Sequence, residues 1–295
     1  MDTRALAEII ESHTGTDGTF TTSMPRVYLL RSSQPTRWSH TLYEPSICFV
    51  AQGTKIVESA GHKLTYNPGS ALAVASALPV KGRVTDASEE RPFLCVRIEL
   101  DVDLIQSFPQ ARRYSSYKRA ENGLATFQPS GGLEDAIFRL MRLFDTPADM
   151  NVLGPLAELE ILYLLIGGAT PAFQQLAAPD SATARTARAA SFLRLHFREE
   201  CPLHRLADRA GMTVRSFLAS FLRLTGSKPE DYKRLLRLQE ARRLISLGVP
   251  PQTAAKFSGY RDQCTFETDY TAAFEATPFV DAARLRSTYA ADLEE

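Results

Sequence analysis

One helical pattern occurs twice between residues 186 and 285, and this duplication restricts the fold more than any other feature of the chain. The first copy is Ala207, Gly211, Phe217, Phe221, Pro229; the second is Ala255, Gly259, Phe266, Tyr270, Pro278. Four residues separate the alanine from the glycine in both, and eight separate the second aromatic from the proline. Aromatics four apart share one helix face. Each copy therefore predicts a short helix, a tight turn at Gly211 or Gly259, and a second helix. That is a helix-turn-helix unit, whose second helix can enter a DNA major groove. A long helix from Pro229 to Leu247 joins the two units, whose glycines lie 48 residues apart. The expectation is two reading helices held roughly one DNA turn apart on one face of a duplex.

A length of 295 residues leaves room for a second domain with its own core. With 44% apolar and 23% charged residues, the composition is that of an ordinary globular protein. No uninterrupted apolar run reaches membrane-span length, and Met1-Asp2-Thr3-Arg4 does not open a signal peptide, so a cytoplasmic protein without a membrane partner is expected. Cys48, Cys95, Cys201 and Cys264 are scattered, with no Cys-x-x-Cys pair. They read as reduced thiols, with a redox role for Cys48 or Cys95 left open.

The net charge of zero conceals an asymmetry. Residues 181–261 carry 16 Lys/Arg against 6 Asp/Glu, a balance of +10, whereas residues 262–295 carry 2 against 8, a balance of −6. The first unit and the connecting helix thus supply the positive field that phosphate binding needs, and the second unit does not.

Ahead of the duplication, Thr3 to Ser12 suits a short helix. From Val27 to Leu100 short β-rich runs alternate with turn residues: Ile47 to Ala51 ends at Gln52-Gly53, Lys55 to Glu58 ends at Gly61, and Ala71 to Ala75 follows Asn67-Pro68-Gly69. Short strands spaced by Pro and Gly turns predict an antiparallel barrel or jelly roll. Leu133 to Phe144 shows a helical apolar face closed by Asp145-Thr146-Pro147, and Leu153 to Ile166 is a strongly apolar helix. Gln174 to Ala187, small and polar with Pro179, reads as a linker. The expected domains are a sensor over 1–172 with a helical hairpin at 133–168, a linker over 173–187, and a double helix-turn-helix over 188–290.

Residues 186–285 resemble the AraC/XylS family of bacterial transcription regulators. The resemblance rests on Leu206-Ala207-Asp208-Arg209-Ala210-Gly211-Met212-Thr213, Phe217, Phe221, Thr225-Gly226, Pro229, the run Arg237 to Leu244, and Gly259-Tyr260. The stretch Tyr43 to Lys55, with Tyr66-Asn67-Pro68-Gly69, is similar to the N-terminal cupin-like domain of one AraC-type branch. The fold class implied is α+β in two domains: an N-terminal β-rich cupin-like barrel with a helical hairpin, and a C-terminal all-α double helix-turn-helix. The resemblance also implies promoter DNA as partner, a small-molecule effector in the barrel, a homodimer formed through the hairpin region, and RNA polymerase as a further partner.

Within the first unit the expected DNA-facing residues are Arg215, Ser216, Ala219, Ser220 and Arg223, with Lys228, Lys233 and Arg234 on phosphate. Arg215, near the helix start, is suited to a bidentate contact with guanine. The second unit offers Arg261, Gln263, Thr265, Glu267 and Thr268. Relatives place basic residues where this chain has Thr268 and Thr271, and a turn glycine where it has Glu275. Glu267 can accept from cytosine N4, although carboxylates at 267 and 269 repel phosphate if they face it. The first unit is therefore expected to dominate affinity.

For a ligand in the barrel, Trp38, His40, Tyr43, Phe49 and Tyr66 are the candidates, set against their reading as plain core. Only His40 and His62 lie in the barrel, with no His-x-His pair, and no nucleophile, phosphate-loop or His-Glu-x-x-His motif occurs. No cofactor, no metal and no catalysis are expected. Two other classes stay open: a regulator that acts through a protein partner without direct DNA binding, and a cupin-type metalloenzyme.

Overall fold

In a computed structural model, the structure describes residues 3–59, 61–108, 123–168 and 171–291. After α1 (Thr3–Ser12) come β1 (Gly18–Thr21), β2 (Val27–Ser32), β3 (Ser39–Tyr43), β4 (Ser46–Gln52), β5 (Thr54–Ser59), β6 (His62–Tyr66), β7 (Ala71–Val74), β8 (Leu78–Asp86) and β9 (Phe93–Glu99). Next are α2 (Val102–Ser107) and β10 (Leu124–Phe127). The strands form two antiparallel sheets, one ordered β1-β2-β9-β4-β7-β10 and the other β3-β8-β5-β6. The alternation in β9 explains why. Phe93 and Cys95 enter the core between the sheets with Cys48 and Val50 of β4, while Leu94, Val96 and Ile98 join Ile47 and Phe49 in a second core. That second core is closed by helices, so the six-stranded sheet is covered on both faces and β4 reads as one continuous apolar run. The chain passes from one sheet to the other at Gly53 (φ 79°), where an added Cβ would lie 2.5 Å from the Asp86 carbonyl oxygen.

The covering helices are α1, α3 (Gly131–Arg142), α4 (Pro147–Gly168) and α5 (Pro171–Ala177). Ser130 caps α3 by accepting from the Leu133 amide, and Leu133, Ala136, Ile137, Leu140 and Met141 are buried as their spacing predicts. The helical run closes at Asp145 as expected, and Pro147 also opens α4, because a proline at the first helical position lacks only an amide that would be unpaired there. Over Pro147–Gly167, α4 is long and apolar enough by length and composition to cross a membrane, with mean hydropathy 1.4. It does so as a whole, although Asp149, Glu158 and Glu160 leave no uninterrupted apolar run of that length. In this fold α4 packs on α3, and its Glu158 pairs with Arg26 at 2.6 Å.

The expected linker is also revised. Residues 174–177 belong to α5, and α6 (Ala182–Leu195) begins at Ser181, whose hydroxyl accepts from the Ala184 amide. A Ser N-cap followed by alanine-rich sequence favours helix over an extended tether. Then come α7 (Leu203–Arg209), α8 (Val214–Thr225), α9 (Pro229–Ser246), α10 (Pro251–Phe257), α11 (Gln263–Phe274) and α12 (Pro278–Ala291).

Candidate nucleic-acid interface

α7–α8 and α10–α11 are the two helix-turn-helix units, and α9 joins them. Both turns use a left-handed glycine, Gly211 (φ 60°) and Gly259 (φ 88°). At Gly259 an added Cβ would come within 3.2 Å of the Arg198 Cα, so the backbone approach there also excludes a side chain. Thr213 caps α8 by accepting from the Ser216 amide, and Asp262 caps α11 by accepting from the Thr265 amide. The repeated aromatics face inward. Phe217, Phe221, Phe266 and Tyr270 are each 0% exposed, and Phe221 meets Tyr232 of α9 edge-on at 5.4 Å. Asp281 of α12 is buried and answers two donors, Arg242 at 2.8 Å and the Tyr270 hydroxyl at 2.8 Å. This lets a carboxylate sit in the core without an unmet charge.

With the aromatics inward, the opposite stripe of each reading helix faces solvent. On α8 it consists of Val214, Arg215, Ser216, Ala219 and Leu222. Arg215 has no ion-pair partner among the described residues. Ser220, expected on this stripe, is 3% exposed and hydrogen-bonded to Thr186 of α6 at 2.8 Å, so it belongs to the packing side. Arg223 is half-buried and lines a crevice with Ser59, His62 and Gly123 of the β domain. Lys228 is exposed ahead of α9. Lys233 donates to the Glu199 carbonyl, and burial with nearby Arg237 lowers its pKa. Arg234 pairs with Asp231 at 2.6 Å. Several of the 16 cations of this region are thus engaged inside the domain, Arg198 and Arg243 by Glu240 and Arg261 by Glu200, carboxylates that the net balance of +10 already counts.

On α11 the outward stripe is Cys264, Thr265, Thr268, Thr271 and Ala272, with Gln263 and Glu267 at its edge. Gln263 donates to Glu267 at 2.8 Å, and Asp269 accepts from the Tyr260 hydroxyl at 3.1 Å. Cys264 and Ala272 were not among the residues singled out from sequence, and Thr271 was noted only as lacking a basic side chain. A signal existed: with the aromatics superposed at an offset of 49, Cys264 falls on Arg215 and Thr271 on Leu222. Helix α11 ends at Glu275 in the left-handed conformation (φ 56°, ψ 24°), where α8 ends at Gly226 (φ 72°).

The two domains touch through several groups. The Gly123 amide donates to the Leu224 carbonyl at 3.1 Å, at the end of α8, and the Tyr232 hydroxyl donates to the Ala77 carbonyl at 2.7 Å. Arg194 pairs with Glu44 at 3.1 Å, and His40 meets Phe274 edge-on at 5.0 Å. Burial, reinforced by the Lys81 and Arg242 cations, lowers the His40 pKa to about 4.

The candidate ligand residues do not converge. Tyr43 and Tyr66 fill the core between the sheets and Phe49 the other core. Trp38 lies at the surface under Arg83, and His40 lies at the domain junction. A cavity of about 620 Å³ lies elsewhere, between Pro45 and Val102 of the β domain and Arg188, Phe192 and Leu195 of α6. Among the described residues, no cluster of three or more His, Cys, Asp and Glu is placed to hold a metal ion.

Fold and site together define a two-domain protein that carries paired helix-turn-helix units on a β-rich domain. Comparison with known proteins agrees. Residues 23–172 match the family described as AraC-type transcriptional regulator N-terminus, and residues 206–280 match a helix-turn-helix domain. The chain belongs to the AraC-type transcriptional regulators. It is 33% identical over 72 residues to the uncharacterized HTH-type transcriptional regulator YbfI of Bacillus subtilis strain 168, a match covering 24% of this chain and 26% of that protein. Among solved structures it resembles Vibrio cholerae O395 ToxT bound to (E)-4-(8-methylnaphthalen-1-yl)but-3-enoic acid, with TM-score 0.55 and 11% identity, over 88% of this chain and 98% of that one. It likewise resembles unsaturated fatty acid-bound wild-type ToxT from strain SCE256 (TM-score 0.53, 12% identity, 89% and 95% covered).

Proposed function

We propose that this chain is a sequence-specific DNA-binding transcription regulator, not an enzyme, acting in the cytoplasm on promoter DNA. The observation that carries this reading is Arg215: exposed, without an ion-pair partner among the described residues, and placed in the first turn of a helix whose other face is locked by Phe217 and Phe221. An arginine so held can give two hydrogen bonds to guanine, and Lys228 adds phosphate attraction. The first unit supplies most of the affinity, because the outward stripe of α11 carries no cation.

Control belongs to the β domain, which holds the end of α8 through Gly123 and Leu224. A small effector fits the junction cavity, whose walls come from both domains. A homodimer is supported by the exposed apolar side chains Val152, Leu153, Leu156 and Tyr163 on α4. The test is fluorescence anisotropy of the protein against DNA upstream of its own gene and against scrambled DNA, at low and physiological salt. An unsaturated fatty acid, the ligand class named for one ToxT structure, is the first effector to add. Preference for the upstream DNA that weakens steeply with salt supports the reading. Equal binding to both, with and without the acid, refutes direct sequence-specific recognition and favours a regulator that acts through a protein partner.

A further inference from the structure

The outward stripe of α11 carries three threonines, and each hydroxyl is already used within the helix. Thr265 donates to Asp262 at 2.6 Å, Thr268 to the Cys264 carbonyl at 2.9 Å, and Thr271 to the Glu267 carbonyl at 2.7 Å. A hydroxyl committed in this way leaves the γ-methyl as the group free for a partner. The three side chains are exposed, and Cys264 and Ala272 beside them are small and uncharged. The same stripe of α8 carries Arg215. Apart from the weakly donating Cys264 thiol, helix α11 therefore presents methyl groups, with its threonine hydroxyls engaged and no cation.

In the major groove, a guanine·cytosine pair is read by donors to guanine or by an acceptor for cytosine N4, whereas thymine alone adds a methyl group to the groove surface. We infer that the second reading helix recognises thymine 5-methyl groups, through the γ-methyls of Thr265, Thr268 and Thr271. The lack of cations on α11 is then a mode of reading and not a loss of it: small side chains allow close approach, and apolar contact replaces hydrogen bonds. This rests on the reading of the chain as a DNA-binding regulator and assigns the base preference of its second unit.

The experiment selects duplexes from a random library with the full-length protein, then replaces each thymine of an enriched duplex by deoxyuridine, which removes only the methyl. Replacement in the segment contacted by the second unit should weaken binding about fourfold per essential thymine, the transfer value of one methyl group. Thr268→Ser with Thr271→Ser keeps the hydroxyls and should weaken binding while abolishing the deoxyuridine effect at the thymines that these two side chains meet. Thr268→Val with Thr271→Val keeps the methyls and should bind within twofold of the parent. The opposite pattern, with Ser tolerated and Val not, overturns the inference in favour of hydroxyl readout. So does a deoxyuridine effect that the Ser variant leaves unchanged. If no duplex is enriched, the DNA-binding function itself falls, an outcome distinct from enrichment without a methyl effect.

Discussion

The two helix-turn-helix units share a scaffold and differ in nearly everything they show to solvent. Each has a left-handed glycine turn, an oxygen-bearing N-cap and a pair of fully buried aromatics at matching positions. The first presents Arg215 and ends on Gly226; the second presents Cys264 and threonines and ends on a strained Glu275. They also meet the β domain differently. α8 is tied by the Leu224 carbonyl near its end and by the Leu224 side chain in the β-domain core, whereas α11 makes an edge-on ring contact with His40. Core positions are fixed by packing, which tolerates little change. Outward positions are free to vary with the sequence being read, so a duplicated fold can keep its interior while its two reading surfaces diverge.

The largest effect should test the shared part. Phe217→Ala and Phe266→Ala each remove a fully buried ring and should destabilise the domain by about 3–5 kcal/mol, measured by denaturant unfolding. A large cost in one unit and little in the other would break the equivalence of the scaffolds. Next comes the divergent surface. Arg215→Ala should cost about 1–3 kcal/mol in binding to the preferred duplex, whereas Cys264→Ala at the matching position should change it by less than about 0.5 kcal/mol. Equal losses in anisotropy titrations would show that both units read alike.

The caps give a smaller, signed comparison. Glu275→Gly should stabilise by about 1 kcal/mol, since glycine adopts φ 56° without a Cβ clash, and Gly226→Ala should destabilise by a similar amount. Thermal unfolding shifts of opposite sign are the readout.

The smallest effect concerns the junction at α11. His40 faces Lys81 of β8, Arg242 of α9, Asp281 of α12 and the Phe274 ring, and it stays neutral down to about pH 4. Its docked pKa lies below the ordinary 6.5, so the undocked state binds more protons wherever the pH is below 6.5. Docking should therefore be unaffected above pH 6.5 and weaken as the pH falls toward 4. Limited proteolysis between pH 7 and pH 4.5, with His40→Gln as the variant lacking this titration, measures it. An identical pH response of the two proteins would assign the effect elsewhere.

Periodicity located the helices of both units, because buried faces are written in local spacing, and the resemblance to relatives marked Glu275 as a turn position. The alternation in β9 likewise marked a strand, yet alternation cannot say that both of its faces are covered. Ser220 was misplaced for a related reason. A small polar residue suits an exposed stripe by type, although its place three residues after Phe217 and four before Leu224 puts it on the packing face, where Thr186 of α6 meets it. The same holds for charge. Sequence counts gave a region of net +10 but not which of its cations are engaged: Glu200, Asp231 and Glu240 pair with Arg261, Arg234 and Arg198, and the Glu199 carbonyl accepts from Lys233, with partners up to 61 residues apart in sequence.

By itself, then, the sequence determined the two units, their turns, the inward aromatics and a β-rich domain ahead of them. Each of these follows from residues close together along the chain. The tertiary structure decided which cations stay available for DNA, that the barrel aromatics form no single pocket, and that Gly123 grips the end of α8. Those outcomes depend on groups distant in sequence that compete for the same partner. Such a competition is settled by geometry, which spacing along a chain does not encode.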